Sequence, residues 1–371
     1  MNTILLIIST PFAFATLLSL LLTPFVRRLS IVLRIGDLAD GERKLHRGFI
    51  PNLGGVAIFI AFMFAAFAAA VVEPEFYQFI RNGFWSVLLG GTLIFATGLS
   101  DDVAGLDFKQ KFSLQLFAAL VVVFLGGYHI ETLRNPFSDN VIVLPYWAGA
   151  VLTLFWITGV CNAINLIDGM DGLAGGVTAI ASAAMMVISF LCGDIVMTMN
   201  YAILFGATIG FLRYNFSPAS IFMGDTGALF IGFVFACLAI HYKHKATTAV
   251  MLVVPMLVLG FPILDTLLAP IRRLLQGQHP FKADRLHLHH RLMDTFSLSQ
   301  KNTVLLIYAI CFLLCSTAIA VTAVRDEFIP LIISAVAAIT FIGILGLGYV
   351  SQSRLNGSSG ESGSSIHTFS K

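Results

Sequence analysis

The sequence predicts an all-α, polytopic integral membrane protein with about eleven transmembrane helices, and three observations predict it. Of 371 residues, 57% are hydrophobic and only 11% charged, against roughly 25% charged in soluble domains. The apolar residues fall into continuous runs near the ~20 residues a helix needs to cross a bilayer. Those runs show none of the alternation that a membrane β-barrel would require.

In chain order, the runs are placed at 3–25, 53–73, 84–100, 112–128, 146–164, 172–192, 196–212, 227–242, 248–270, 303–323 and 328–350. The first has no basic residues before it; Arg27 and Arg28 follow it. It therefore reads as a retained span despite the cleavage-like Ala13-Phe14-Ala15. Residues 1–350 read as one membrane-embedded domain. The segment 351–371 is dominated by Ser and Gly, has little to bury, and is expected to be disordered. Cys161, Cys192, Cys237, Cys311 and Cys315 lie in or beside apolar runs without metal or disulfide spacing and read as packing residues. The net charge of +2 gives no reason to expect a nucleic-acid partner.

Orientation follows from the cationic residues. If the segment after the first span is cytoplasmic, only Arg81, Arg134, Lys243, Lys245 and Arg325 of the 22 Lys and Arg fall outside. This bias places the N-terminus outside and the C-terminus in the cytoplasm. The chemically interesting residues then share the cytoplasmic side. Outer loops such as EPEFYQFIRN are short and plain.

The most polar stretch between long apolar segments is NAINLIDGMDGLAGG, residues 162–176. Its Asp168 and Asp171 are three apart and would share one helical face. Carboxylates at the edge of a hydrocarbon layer are costly and mark function by default. Three further loops carry acidic or basic groups. ERKLHRGFIPNLGG brings Arg43, Lys44, His46 and Arg47 to a helix start, an arrangement suited to phosphate but also to ordinary positive-inside bias. SDDVAGLDFKQKFSLQ ends a span with Asp101 and Asp102, followed by Lys109 and Lys111. Adjacent helical residues diverge by about 100°, so one of the two aspartates is expected to face a shared site. NFSPASIFMGDTGAL places Asp225 at the start of a span, and ADRLHLHHRL supplies Arg285, His287, His289 and His290. Clustered histidines admit a transition metal, but no cysteine is near to complete a zinc site. The carboxylates suit Mg²⁺, or Mn²⁺ in its place, because these are hard ions that share oxygen ligands with substrate phosphates. Asp265 lies inside a span, and a local ion pair with Arg272 or Arg273 or a packing hydrogen bond is the simplest role for it.

These motifs, in this order over roughly residues 30–350, resemble the polyprenyl-phosphate N-acetylhexosamine-1-phosphate transferases (the WecA/TagO type), relatives of the phospho-MurNAc-pentapeptide translocase. The His287-Leu288-His289-His290 pattern resembles the N-acetylglucosamine-phosphate branch; the Ala-Pro-x-His-His-His arrangement expected of the peptidoglycan branch is absent. The resemblance implies Mg²⁺-dependent transfer of a sugar 1-phosphate from a UDP-N-acetylhexosamine to undecaprenyl phosphate in the bacterial inner membrane, releasing UMP. It implies Asp225 as the leading metal ligand, with Asp171 beside it. Asp101 and Asp102 would lie nearest the lipid phosphate. Asp168, Asp171 and Asn165 would line the nucleotide–metal cavity. His287, His289, His290 and Arg285 would engage the sugar diphosphate, and Lys111, Lys44 and His46 would contact phosphate. UDP-N-acetylglucosamine is the expected donor, another UDP-N-acetylhexosamine or UDP-MurNAc-pentapeptide the alternative, an ion-coupled transporter the alternative class, and a homodimer is left open.

Overall fold

A computed structural model describes residues 2–37, 49–134, 141–241, 253–275, 287–324 and 326–346. The chain is overwhelmingly helical. In order, the helices are α1 (Asn2–Leu33), α2 (Gly54–Val72), α3 (Pro74–Phe79), α4 (Trp85–Ala104), α5 (Phe108–Leu120), α6 (Tyr146–Ile167) and α7 (Leu173–Leu191). They continue as α8 (Ile195–Asn215), α9 (Gly224–His241), α10 (Val253–Val258), α11 (Gly260–Leu275), α12 (Leu288–Thr295), α13 (Gln300–Ala323) and α14 (Ile329–Gly346). Two short antiparallel hairpins, β1 (Gly36–Asp37) with β2 (Ile50–Pro51) and β3 (Thr132–Arg134) with β4 (Val141–Val143), qualify the all-α expectation without adding a layer.

Among the described residues nine helical segments are long and apolar enough to cross a membrane, and the protein is a polytopic membrane protein. Eight of the predicted runs correspond closely to such segments, though their limits move. The predicted outer loop around Phe79 is instead helical: α3, a π-helical turn over Ile80–Phe84 and α4 form one run, Pro74–Ala104, kinked at Gly83 (φ 136°). The run predicted at 248–270 is broken. α10 ends at Val258, four residues before Pro262, whose ring has no N–H to donate and clashes with the carbonyl at that offset. The last run forms an apolar helix over Ile329–Leu345, shorter than a full span.

Helix α9 is the hub. Every residue from Thr226 to Ile240 is buried, and α2, α4, α6, α7 and α8 all pack on it. The outer helices expose large apolar side chains, among them Leu6, Leu21 and Phe25 of α1 and Phe312 and Leu313 of α13. In water such surface would be costly; against acyl chains it is not. Close approach at the hub depends on missing side chains. A Cβ on Gly55 of α2 would lie 2.1 Å from the Gly227 nitrogen of α9, so the two backbones touch where both helices begin.

Candidate active site

The acidic residues lie where several helix ends meet around the start of α9. Asp102 ends α4, and a carboxylate at a helix C-terminus faces the unfavourable end of the dipole. It is compensated by the opposite end of another helix. Asp102 Oδ1 accepts from Asp225 N (3.0 Å), and Oδ2 accepts from Thr226 N (2.9 Å) and Thr226 Oγ1 (2.5 Å). Asp102 thus caps α9 from a distance of 123 residues in sequence, satisfying N–H groups that α9 cannot bond internally. Gly224 makes this approach geometrically open: its φ is +71°, and a Cβ there would sit 2.5 Å from Asp102 Oδ2.

Asp101 reaches the same place by another route. Asp107 and Gln110 form a capping box that starts α5 at Phe108, which sets Lys111 in its first turn. Lys111 Nζ lies 3.1 Å from Asp101 Oδ2 and in direct contact with Asp225 Oδ2. Leu106 N donates to the other Asp101 oxygen at 2.6 Å. Both adjacent aspartates therefore join the site, and the 100° divergence is absorbed because one meets α9 directly and the other meets it through Lys111.

From α6, Asn162 Nδ2 bonds Gln115 Oε1 of α5 (2.7 Å), and Asn165, one turn on, donates to Asp225 Oδ1 (2.8 Å). Asp168 and Asp171 do not share a helical face as the spacing suggested. α6 ends at Ile167 and α7 starts at Leu173; the turn between them passes through Gly172 at φ +77°. Asp171 Oδ2 accepts from Ala219 N (3.0 Å), tying this turn to the segment leading into α9. Asp168 accepts no hydrogen bond among the described residues. Burial, then the negative charges of Asp102 and Asp171, raise its pKa well above the ordinary carboxylate value.

The histidines sit beside this turn at the start of α12. A Cβ on Gly169 would lie 3.2 Å from His289 Nε2. Burial, then the neighbouring His289 and His287, push the His290 pKa down to about 4. His287 Nδ1 is 3.2 Å from Asp265 Oδ2, and Leu288 N donates to Asp265 Oδ1 at 2.7 Å. The packing hydrogen bond expected of Asp265 is therefore present, with α12 as its partner. Lys44, His46 and Arg285, like the Ser/Gly tail, lie outside the described residues.

Thr226 and Gln115 carry contacts that sequence reasoning did not assign, and for Asp265 it did not name α12 as the partner. Thr226 follows Gly-Asp at a span start, where hydroxyl residues favour helix beginnings. Gln115 is a lone polar residue in an apolar run. No local pattern marks the partner of Asp265.

Among the described residues no three His, Cys, Asp or Glu side chains already form a metal cage. The donors that do gather are hard carboxylate oxygens with an excess of negative charge. They fit an ion held by one or two carboxylates and completed by water and phosphate, which is the manner of Mg²⁺. A closed tetrahedral zinc set is not present among them.

Partly buried carboxylates and an ammonium thus meet where helix ends converge in a polytopic membrane protein. Residues 84–243, which carry Asp101 to Asp225, match the family model for glycosyl transferase family 4. The chain is 37% identical over 308 residues, 83% of each chain, to a probable undecaprenyl-phosphate N-acetylglucosaminyl 1-phosphate transferase of Bacillus subtilis. It is 35% identical to a decaprenyl-phosphate N-acetylglucosaminephosphotransferase of Mycolicibacterium smegmatis, over 79% of this chain and 77% of that one. It is 27% identical to an undecaprenyl-phosphate alpha-N-acetylglucosaminyl 1-phosphate transferase of Yersinia pestis, over 88% and 87%. The chain belongs to glycosyl transferase family 4 and is a phosphoglycosyltransferase.

Proposed function

We propose that the protein transfers N-acetylglucosamine 1-phosphate from UDP-N-acetylglucosamine to undecaprenyl phosphate, forming undecaprenyl-diphosphate-N-acetylglucosamine and UMP. The reaction would start a cell-envelope polysaccharide at the cytoplasmic face of the bacterial inner membrane. The N-terminus would lie outside and the C-terminus inside, with the broken α10–α11 pair and α14 completing about eleven membrane segments. The relatives' names support the acceptor, undecaprenyl phosphate, and the group transferred, N-acetylglucosaminyl 1-phosphate. One observation supports the site above others: the start of α9, where Asp102, Asn165 and Lys111 all converge on Asp225 or its backbone.

The acceptor phosphate and the donor diphosphate are both anions, and their repulsion at short range in low dielectric is large. Asp225 and Asp171 are the residues that would hold Mg²⁺, which when bound would supply positive charge to offset that of the diphosphate. Lys111 would contact phosphate, with Asp101 holding its ammonium in place. His287, His289 and His290 would engage the sugar-diphosphate donor from the far side of the Asp168 turn, joined by Arg285, whose guanidinium would donate to its phosphate oxygens.

A phosphomonoester has a second pKa of about 6, so much of the acceptor is dianionic near neutral pH. A carboxylate would then orient it and take any remaining proton before in-line attack. Both oxygens of Asp102 are committed to α9, and those of Asp101 to Leu106 and Lys111. Asp168, whose pKa is raised and which accepts no hydrogen bond among the described residues, suits proton transfer best.

The test is a reconstituted assay with undecaprenyl phosphate, Mg²⁺ and a panel of UDP-sugars, reading UMP release and lipid product mass. A product heavier by N-acetylglucosamine 1-phosphate is expected. Product only from another UDP-sugar, or solute flux without UMP release, would reject the proposal.

A further inference from the structure

Asp265 is the one acidic side chain among the described residues with no solvent exposure at all. It lies in α11, amid apolar neighbours, where an ionisable group is expensive unless it is paired. Its two oxygens do different things. Oδ1 accepts the backbone N–H of Leu288 at 2.7 Å, one of the N–H groups at the start of α12 that the helix itself cannot satisfy. Oδ2 faces two imidazoles: His287 Nδ1 at 3.2 Å and His289 Nδ1 at 3.7 Å. The rings of His287 and His289 are parallel, 5° apart with centroids separated by 5.7 Å, as expected of rings that turn the same edge to one oxygen.

We propose that Asp265 is a positioning residue that sets the tautomer and orientation of His287 and His289. An ionised carboxylate only accepts hydrogen bonds, so the ring nitrogen facing it must carry the proton. A neutral imidazole protonated on Nδ1 presents a bare, accepting Nε2 at its opposite edge. For His289 that edge lies over Gly169, in the turn carrying Asp168 and Asp171. Through Asp265, α11 therefore holds the histidine segment in register with the acidic turn, although the two are far apart in the chain. His289 Nδ1 is buried and has no hydrogen bond among the described residues, so a small inward shift of α12 would let it share the same oxygen.

That these imidazoles act on substrate rests on the transferase reading; the tautomer does not. The test uses full-length protein in detergent, labelled with ¹⁵N-histidine, at a pH above the imidazole titration. His287 and His289 resonances are assigned by difference against His287→Asn and His289→Asn. In the wild type, both should be Nδ1–H tautomers. In Asp265→Asn, the side-chain carbonyl can still accept from Leu288 N, while its NH₂ turns a donor toward His287. His287 should then move to the Nε2–H form, and kcat should fall by about 10- to 10⁴-fold, the span seen when residues orienting a working histidine are replaced.

A purely structural cap would be kept by the Asn carbonyl, leaving the tautomer and the activity per folded molecule of Asp265→Asn unchanged, which would overturn the proposal. An Nε2–H tautomer of His287 in the wild type would overturn it without any Asp265 variant, so the test survives if that variant fails to fold. An inactive wild type that still shows Nδ1–H on both histidines would count against the transferase reading alone.

Discussion

Lys111 Nζ lies against Asp225 Oδ2 while standing 3.1 Å from Asp101 Oδ2. One ammonium in the first turn of α5 thus joins the end of α4 to the start of α9. Without it, two partly buried carboxylates would face each other across a site that already holds Asp102, Asp168 and Asp171. In Lys111→Met we expect a stability loss of about 1–3 kcal/mol, the cost of stranding a partly buried charged partner. Solvent at the rim keeps this below the cost of breaking a fully buried pair. Added Mg²⁺ should restore part of the melting temperature lost in chelator, because it replaces the missing positive charge. Thermal unfolding with and without Mg²⁺ measures this, and equal melting temperatures would count against a cation site here.

Asp102 makes three hydrogen bonds to the start of α9, and only one comes from a side chain. Thr226→Val removes that one and keeps both backbone donors. We expect a loss of about 1–2 kcal/mol with catalysis reduced less than tenfold. Asp102→Ala removes all three and should cost activity entirely. Parallel denaturation curves and initial rates for the two variants check the difference.

The contact of Gly55 with Gly227 leaves no space for a methyl group. Gly55→Ala should destabilise by about 1–3 kcal/mol through overpacking, and it should weaken activity because α9 carries Asp225. Gly159, also helical, has nothing within 4 Å of the point where a Cβ would stand. Gly159→Ala should be neutral or slightly stabilising through helix propensity. Melting temperatures of the pair test whether packing at this crossing, and not glycine content, sets stability.

His290 contributes a pH dependence whose sign follows from its pKa of about 4 against an ordinary value of 6.5. As pH falls through 6.5, the unfolded chain takes up a proton that the folded protein refuses until about pH 4. Stability is therefore undiminished above 6.5 and declines as pH falls across that window. His290→Asn should flatten the decline, which thermal unfolding at stepped pH values would reveal.

Much of the membrane architecture was legible because a long apolar run has few alternatives in a bilayer. The misjudged places are those where local chemistry overrides hydropathy. Pro262 divides a run that composition reads as continuous, and the Phe79 region continues as helix although it carries charged residues. The site's members were legible as polar residues among apolar ones. Their pairing was not: Asp102 with Thr226, or Asp265 with His287, joins residues 124 and 22 positions apart. Spacing also misled at Asp168 and Asp171, where glycines end the helix that would have aligned them. Asp101 shows the reverse: helical geometry alone would have turned it away, and Lys111 brings it back.

The most direct measurement is Mg²⁺-dependent UMP release by wild type and Asp225→Asn, both reconstituted with undecaprenyl phosphate and UDP-N-acetylglucosamine. Asp225 receives Asn165 and touches Lys111, and an amide there keeps the shape while removing the charge. We expect the variant to fold with a melting temperature within a few degrees of wild type and to lose at least about 10²-fold in rate, the order found when an electrostatic contact in the transition state is removed. A folded Asp225→Asn protein that releases UMP at the wild-type rate would contradict the assignment of this helix junction as the catalytic centre.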